Sequence, residues 1–204
     1  MTLLPDANPA VVTWTEVGEN RSARWRSENG SPPPRRVMVA DDQLTADAAF
    51  RLASEGSALL WRGDFQNARQ LMQAMARRID RKPRKAASSP TEAFNFHRQH
   101  QSQRARTLGM LLLPLEADFS IPLRRAPNVK EACFEAYGAG TESSVVSLRE
   151  LLGVIGAHEW RKKGVDIPEL GERIHPHYGV FSPVRGEYLQ LVAEAPLPIS
   201  KLAF

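Results

Sequence analysis

The sequence predicts an α+β fold: a small N-terminal helical bundle followed by a layer that contains a β-hairpin. Three observations predict it. Apolar residues between positions 41 and 109 recur at helical spacing, interrupted by helix-start signals. At Met110 the pattern changes to two compact apolar runs, residues 110–115 and 119–123, with Glu116-Ala117-Asp118 between them. Beyond that point, short helix starts alternate with extended segments.

Residues 1–40 are rich in Pro, Ser, Asn and Arg. Ser31-Pro32-Pro33-Pro34 has the composition of a polyproline-type linker, so this segment is expected to be disordered or linking, with Trp14 and Trp25 able to dock on the body. Residues 41–109 form the expected bundle. Thr45 caps a first helix carrying Ala49, Leu52, Ala53, Gly56 and Leu60. Gly63-Asp64 breaks the pattern, and a second helix runs from Phe65 with Ala68, Leu71, Met72, Met75 and Ile79 on one face. Ser89-Pro90-Thr91-Glu92 opens a third, which ends near Gly109.

Residues 110–171 form the expected α+β layer. After the hairpin, a short helix opens at residues 128–131 and contains Cys133 and Phe134. Ser147-Leu148-Arg149-Glu150 reads as a capping box, and the helix it opens stops at Gly164 after Arg161, Lys162 and Lys163. Residues 172–204 read as a strand–helix connector, with Ser182-Pro183 starting a helix that bears Tyr188, Leu189 and Val192.

Composition excludes some classes. Of 204 residues, 42% are hydrophobic and 25% charged, as in an ordinary folded chain. No apolar run reaches the roughly 18 residues of a membrane span. No secretory signal pattern opens the chain, and the single cysteine, Cys133, has no internal disulfide partner. Both point to a reducing, cytoplasmic setting without a membrane partner. The net charge of +4 favours an anionic partner.

Few residues suggest chemistry. Tyr137-Gly138-Ala139-Gly140-Thr141 contains GxG but follows a helix rather than a strand, so it reads as a turn and not a phosphate loop. His97 and His100, His175 and His177, and His158 do not assemble a zinc set with one cysteine, and no metal site is expected. The basic cluster is more informative. Six of the nine residues 77–85 are Arg or Lys, namely Arg77, Arg78, Arg81, Lys82, Arg84 and Lys85, and Asp80 is the one acid. Arg98, Arg104 and Arg106 follow on the next helix. Arg presents paired donors to phosphate, so these six residues are the candidate substrate-binding surface for a nucleic acid.

A family resemblance rests on the segment from Ile174 to Val192. Val180-Phe181-Ser182-Pro183, followed by Glu187 at the head of a helix, resembles the segment that precedes the catalytic domain in bacterial class I S-adenosylmethionine-dependent methyltransferases related to the release-factor glutamine and ribosomal RNA enzymes. More loosely, residues 58–69, 104–127 and 145–163 are similar to the N-terminal regions of such proteins, so the likeness covers about residues 42–204. It implies S-adenosylmethionine as cofactor and an acceptor that is either a protein glutamine amide or ribosomal RNA. It also implies a Rossmann-like α/β domain missing from this chain. The family's glycine-rich loop, acidic ribose-binding residue and Asn-Pro-Pro-type motif would lie beyond Phe204, so these 204 residues are expected to be inactive alone. Phe181, Ser182 and Pro183 become candidates for one wall of the cofactor pocket. Two other classes remain open: a stand-alone basic nucleic-acid-binding module without enzymatic activity, and a winged-helix regulator, for which no clear recognition helix stands out.

Overall fold

The computed structural model describes residues 10–81, 86–180 and 186–196. The chain is mixed α+β. Six strands, β1 (Val11–Glu16), β2 (Glu19–Arg26), β3 (Arg36–Ala40), β4 (Ser57–Trp61), β5 (Leu111–Leu115) and β6 (Ser144–Ser147), form one sheet in the order β1-β2-β6-β5-β4-β3. The helices α1 (Ala46–Ser54), α2 (Phe65–Asp80), α3 (Pro90–Leu108), α4 (Lys130–Tyr137) and α5 (Leu148–Lys163) are interleaved with these strands. A short antiparallel pair, β7 (Val165–Ile167) and β8 (Glu172–Ile174), follows, and then α6 (Glu187–Glu194).

The first departure from the sequence reading lies at the N-terminus. Residues 11–26 and 36–40, expected as linker, are three strands of the main sheet. Val12 and Trp14 alternate with exposed neighbours, and Val12 is buried. The turn Val17-Gly18 has positive φ at both positions, 52° and 78°, as a two-residue type I′ hairpin loop requires. This hairpin curls so that β1 approaches β3 at the far edge of the sheet. Arg62, just past β4, clasps Glu16 at the end of β1 with two hydrogen bonds of 2.9 and 2.7 Å, and its guanidinium lies 5.9 Å from the Trp14 ring centroid.

The sheet therefore buries both faces. Ala58, Leu60, Leu112, Val145 and Val12 form a small core on the side enclosed by the hairpin. Leu59, Trp61, Leu111, Leu113, Leu115 and Val146 face the helices, where Phe65, Met75, Leu148 and Leu151 meet them. Strands covered on both sides read as continuous apolar runs instead of alternating ones. That explains the second departure. Gly56 and Leu60 continue the spacing of α1, but the helix stops at Ser54, Gly56 turns at a φ of 84°, and residues 57–61 are a fully buried strand. Helices α1, α2 and α3 do pack together, but α1 and α2 are separated in the chain by β4 and lie against a sheet.

The third departure concerns the expected hairpin at 110–123. Residues 111–115 are a central strand, parallel to β4 and antiparallel to β6. Residues 119–123 form no strand. Phe119 takes a φ of 63° and turns its ring into the core. Glu116 and Phe119 close a tight turn by the Phe119 amide donating to the Glu116 carbonyl.

Candidate nucleic-acid interface

The candidate surface is built by α2, α3 and the ion pairs that join them. Asp64 caps α2 by accepting from the Gln66 amide at 2.8 Å. The apolar stripe Phe65, Ala68, Leu71, Met75 and Ile79 holds the helix on the sheet. The opposite face delivers the basic residues to its last turn. Ser89 caps α3 by accepting from the Glu92 amide at 3.2 Å, and Glu92 in return accepts from the Ser88 amide and hydroxyl at 2.7 and 2.5 Å. These bonds hold the Glu92 carboxyl below its ordinary pKa.

The six candidate arginines and lysines separate. Arg77 and Arg81 stand one turn apart and exposed, on one side of α2. Arg78 is engaged elsewhere: its Nε donates to Asp47 of α1 at 2.5 Å, and this pair holds the Asp47 carboxyl low. Arg78 fastens α2 to α1 and is withdrawn from the anion-binding set. Lys82, Arg84 and Lys85 lie outside the described residues. Of the arginines on α3, Arg104 makes two hydrogen bonds to Asp80, 3.1 and 3.3 Å, which set α3 beside the end of α2. Arg98 lies 5.8 Å from the ring centroid of Phe94, one turn earlier.

Helix α3 is the unusual element. At 19 residues it is about 28 Å long. Its buried residues are Thr107 and Leu108, both in its last turn. The earlier turns present Phe94, Asn95, His97, Arg98, Gln99, Gln101 and Gln103 to solvent. An exposed aromatic ring with arginine against it is a surface on which an unpaired base can stack, a feature that the basic cluster alone does not reveal. The signal that could have found it is the composition of α3, with few aliphatic residues between Phe94 and Leu108.

The connector lies apart from this surface. Phe181, Ser182 and Pro183, the candidate cofactor-pocket wall, lie outside the described residues. Their neighbours are placed. Residues 176–180 run along the glycine-bearing side of α5 and enclose, with Gly153, Gly156, Ala157 and Trp160, a groove of about 340 Å³. Tyr178 packs on the main core, whereas Val180 is 60% exposed. Gly179, at a φ of 77°, turns the chain outward there, and Tyr178 is the residue of this segment that packs on the core. Helix α6 buries none of its residues, and Leu191 is 69% exposed.

His158 and His175 have structural settings. His158 Nδ1 lies 2.9 Å from Glu135 of α4, and Arg161 pairs with the same carboxylate, clamping α4 to α5. His175 bonds the Arg161 carbonyl through Nδ1. Among the described residues no three His, Cys, Asp or Glu side chains gather as metal ligands. No described helix is long and apolar enough to cross a membrane. The GxG segment is a packing turn: Gly138 ends α4 at a φ of 75°, and Gly140 lies against the Ala117 carbonyl. Compared with known proteins, the chain matches no family model, no curated protein and no solved structure.

Proposed function

We propose that this chain is the acceptor-recognition region of an S-adenosylmethionine-dependent methyltransferase, and that its acceptor is RNA, held on the α2–α3 surface. The observation that carries the acceptor assignment is α3, a long helix whose first turns are not used in the core and instead display Phe94, Arg98 and amide side chains. Arg77 and Arg81 add positive charge beside it. Phosphates would meet the arginines, and unpaired bases the Phe94 ring. A protein glutamine acceptor has less support, since a neutral amide gains little from this charge.

The catalytic part of the reading rests on the family resemblance. It is supported by α6, whose apolar side chains Leu191 and Val192 are exposed and suited to cover against a neighbouring domain. The cofactor would be bound by that domain, not by residues 1–204. The test is to titrate the 204-residue chain with a ribosomal RNA fragment at several salt concentrations, and separately with S-adenosylmethionine by calorimetry. RNA binding that weakens steeply with salt and is lost in Arg77→Ala/Arg81→Ala/Phe94→Ala, with no cofactor binding, is the expected result. RNA affinity unchanged by that triple substitution would remove the acceptor assignment. Micromolar cofactor binding to these residues would overturn the placement of the cofactor site.

The second reading is a stand-alone nucleic-acid-binding module, because Arg77, Arg81, Phe94 and Arg98 are all supplied by this chain. The two part at α6. If a catalytic domain covers that helix, Leu191→Arg in the enzyme carrying both parts abolishes methyl transfer and leaves RNA affinity intact.

A further inference from the structure

The sheet contains three parallel pairs, and the carboxyl ends of β2 and β6 open side by side at the end of the sheet opposite those of β3, β4 and β5. Strands β2 and β6 are parallel neighbours, with Arg24 opposite Ser144 and Arg26 opposite Val146. The chain leaves β2 into the loop 27–35 and leaves β6 directly into α5. Crevices at the carboxyl ends of adjacent parallel strands are where open sheets place their ligands. Here the crevice is a cavity of about 510 Å³, with Trp25, Pro32, Pro33 and Pro34 on one side and Arg106, Ser147, Arg149 and Glu150 on the other. That volume lies within the range of small-molecule sites.

The α5 end of this cavity is built for an anion. Ser147 is the residue before the first turn, but its hydroxyl does not cap the helix. Ser147 is only 8% exposed, and its Oγ is buried with no hydrogen-bond partner in the structure. A buried hydroxyl left unsatisfied in a cavity wall signals a group that the ligand supplies. The first amides of α5 also lack a side-chain cap and carry the positive end of a 16-residue helix. No ion pair engages Arg106 or Arg149 among the described residues, and both line the same cavity. Glu150 is the opposing charge. Its Oε1 is held by the Glu28 amide and the Tyr137 hydroxyl, both at 3.2 Å, so this carboxylate is tied to the protein and not to the arginines. Trp25 is fixed in turn by its indole N–H donating to the Ser31 carbonyl at 2.8 Å.

We propose that this cavity binds a nucleoside monophosphate. The phosphate sits at the start of α5, accepting from the Ser147 hydroxyl, the first amides of the helix, and Arg106 and Arg149. The base lies toward Trp25 and the three prolines. This site takes Arg106 from the last turn of α3, at the opposite end of that helix from Phe94 and Arg98, and does not depend on the methyltransferase reading.

The test is calorimetric titration of the 204-residue chain with adenosine monophosphate, inorganic phosphate and adenosine. Adenosine monophosphate should bind most tightly, phosphate more weakly and adenosine weakest. Ser147→Ala removes a hydroxyl that has no partner in the free protein, so its melting temperature should not fall. Its nucleotide affinity should drop about tenfold, the loss expected for one charged hydrogen bond. Arg149→Gln should do the same, and Trp25→Leu should weaken the nucleotide but not phosphate. No nucleotide binding, or binding indifferent to Ser147→Ala, would overturn the proposal. Equal affinity for phosphate and nucleotide would overturn the base position.

Discussion

The Nε of Arg125 donates to Oδ2 of Asp64 across 2.7 Å, and the carboxylate that it meets is fully buried. Arg124 approaches the same oxygen at 3.6 Å, and the other oxygen caps α2. Arg125 adopts a φ of 53° to reach this position. The Arg125 hydrogen bond, against the opposing effect of burial, holds the Asp64 carboxyl below its ordinary pKa.

A depressed folded-state pKa means that the ionised carboxylate stabilises the fold above its unfolded pKa of about 3.9. That stability is lost as pH falls through the lower folded value. Asp64→Asn should therefore melt lower than the parent at neutral pH, and the gap should narrow on acidification below about pH 4. Thermal melts of both proteins across this range would check it. A gap independent of pH would show that the charge is not what matters.

Val17 is 97% exposed and sits at a φ of 52°, where a β-branched residue is strained. Asn tolerates that conformation. Val17→Asn loses no packing and should stabilise the hairpin by about 0.5–1 kcal/mol, measured by urea denaturation.

Gly140 is a glycine for space, not for backbone conformation. A Cβ there would collide with the Ala117 carbonyl oxygen. Gly140→Ala should cost about 1–3 kcal/mol, as overpacking does. Gly138→Ala is the comparison: no atom is near, but φ 75° and ψ −159° lie in a region essentially confined to glycine, so it should cost a similar amount, about 1–3 kcal/mol, through backbone strain and not through lack of space.

Arg26 is buried, with its guanidinium 5.0 Å from the ring centroids of both Phe119 and Tyr137 and its Nε donating to Ser144 at 2.9 Å. Burial pulls its pKa down, but the two rings and the hydroxyl hold the charge in place. Arg26→Ala should cost about 2–3 kcal/mol through lost cation–π contact and stem packing, and Arg26→Met less, since it keeps the stem.

The basic cluster should divide in mutagenesis as it does in the structure. Arg78→Ala breaks the Asp47 pair and should lower the melting temperature while leaving RNA affinity nearly unchanged. Arg77→Ala and Arg81→Ala should do the reverse. Melting curves and salt-dependent RNA titrations on the same three proteins would decide it.

The sequence by itself determined the elements whose signals are local. Asp64 before α2, Ser89-Pro90 before α3 and Gly164 after α5 stand where the reading put them, because caps and stops depend on a few neighbouring residues. It also located the basic cluster. Only the tertiary structure decided the sheet. Residues 57–61 and 111–115 are strands because neighbours far along the chain cover both of their faces, and an apolar run of five carries no period that distinguishes strand from helix. The N-terminal strands were hidden for the related reason that β2 pairs with β6, more than a hundred residues away, so linker-like composition concealed a partner that local pattern cannot reveal. The same long-range pairing brings the loop after β2 to the start of α5. It draws the Glu150 carboxylate toward Glu28 and Tyr137 and away from the Ser147 backbone N–H, and the Ser147 hydroxyl makes no capping bond either, so neither half of the capping box that the sequence promises is formed.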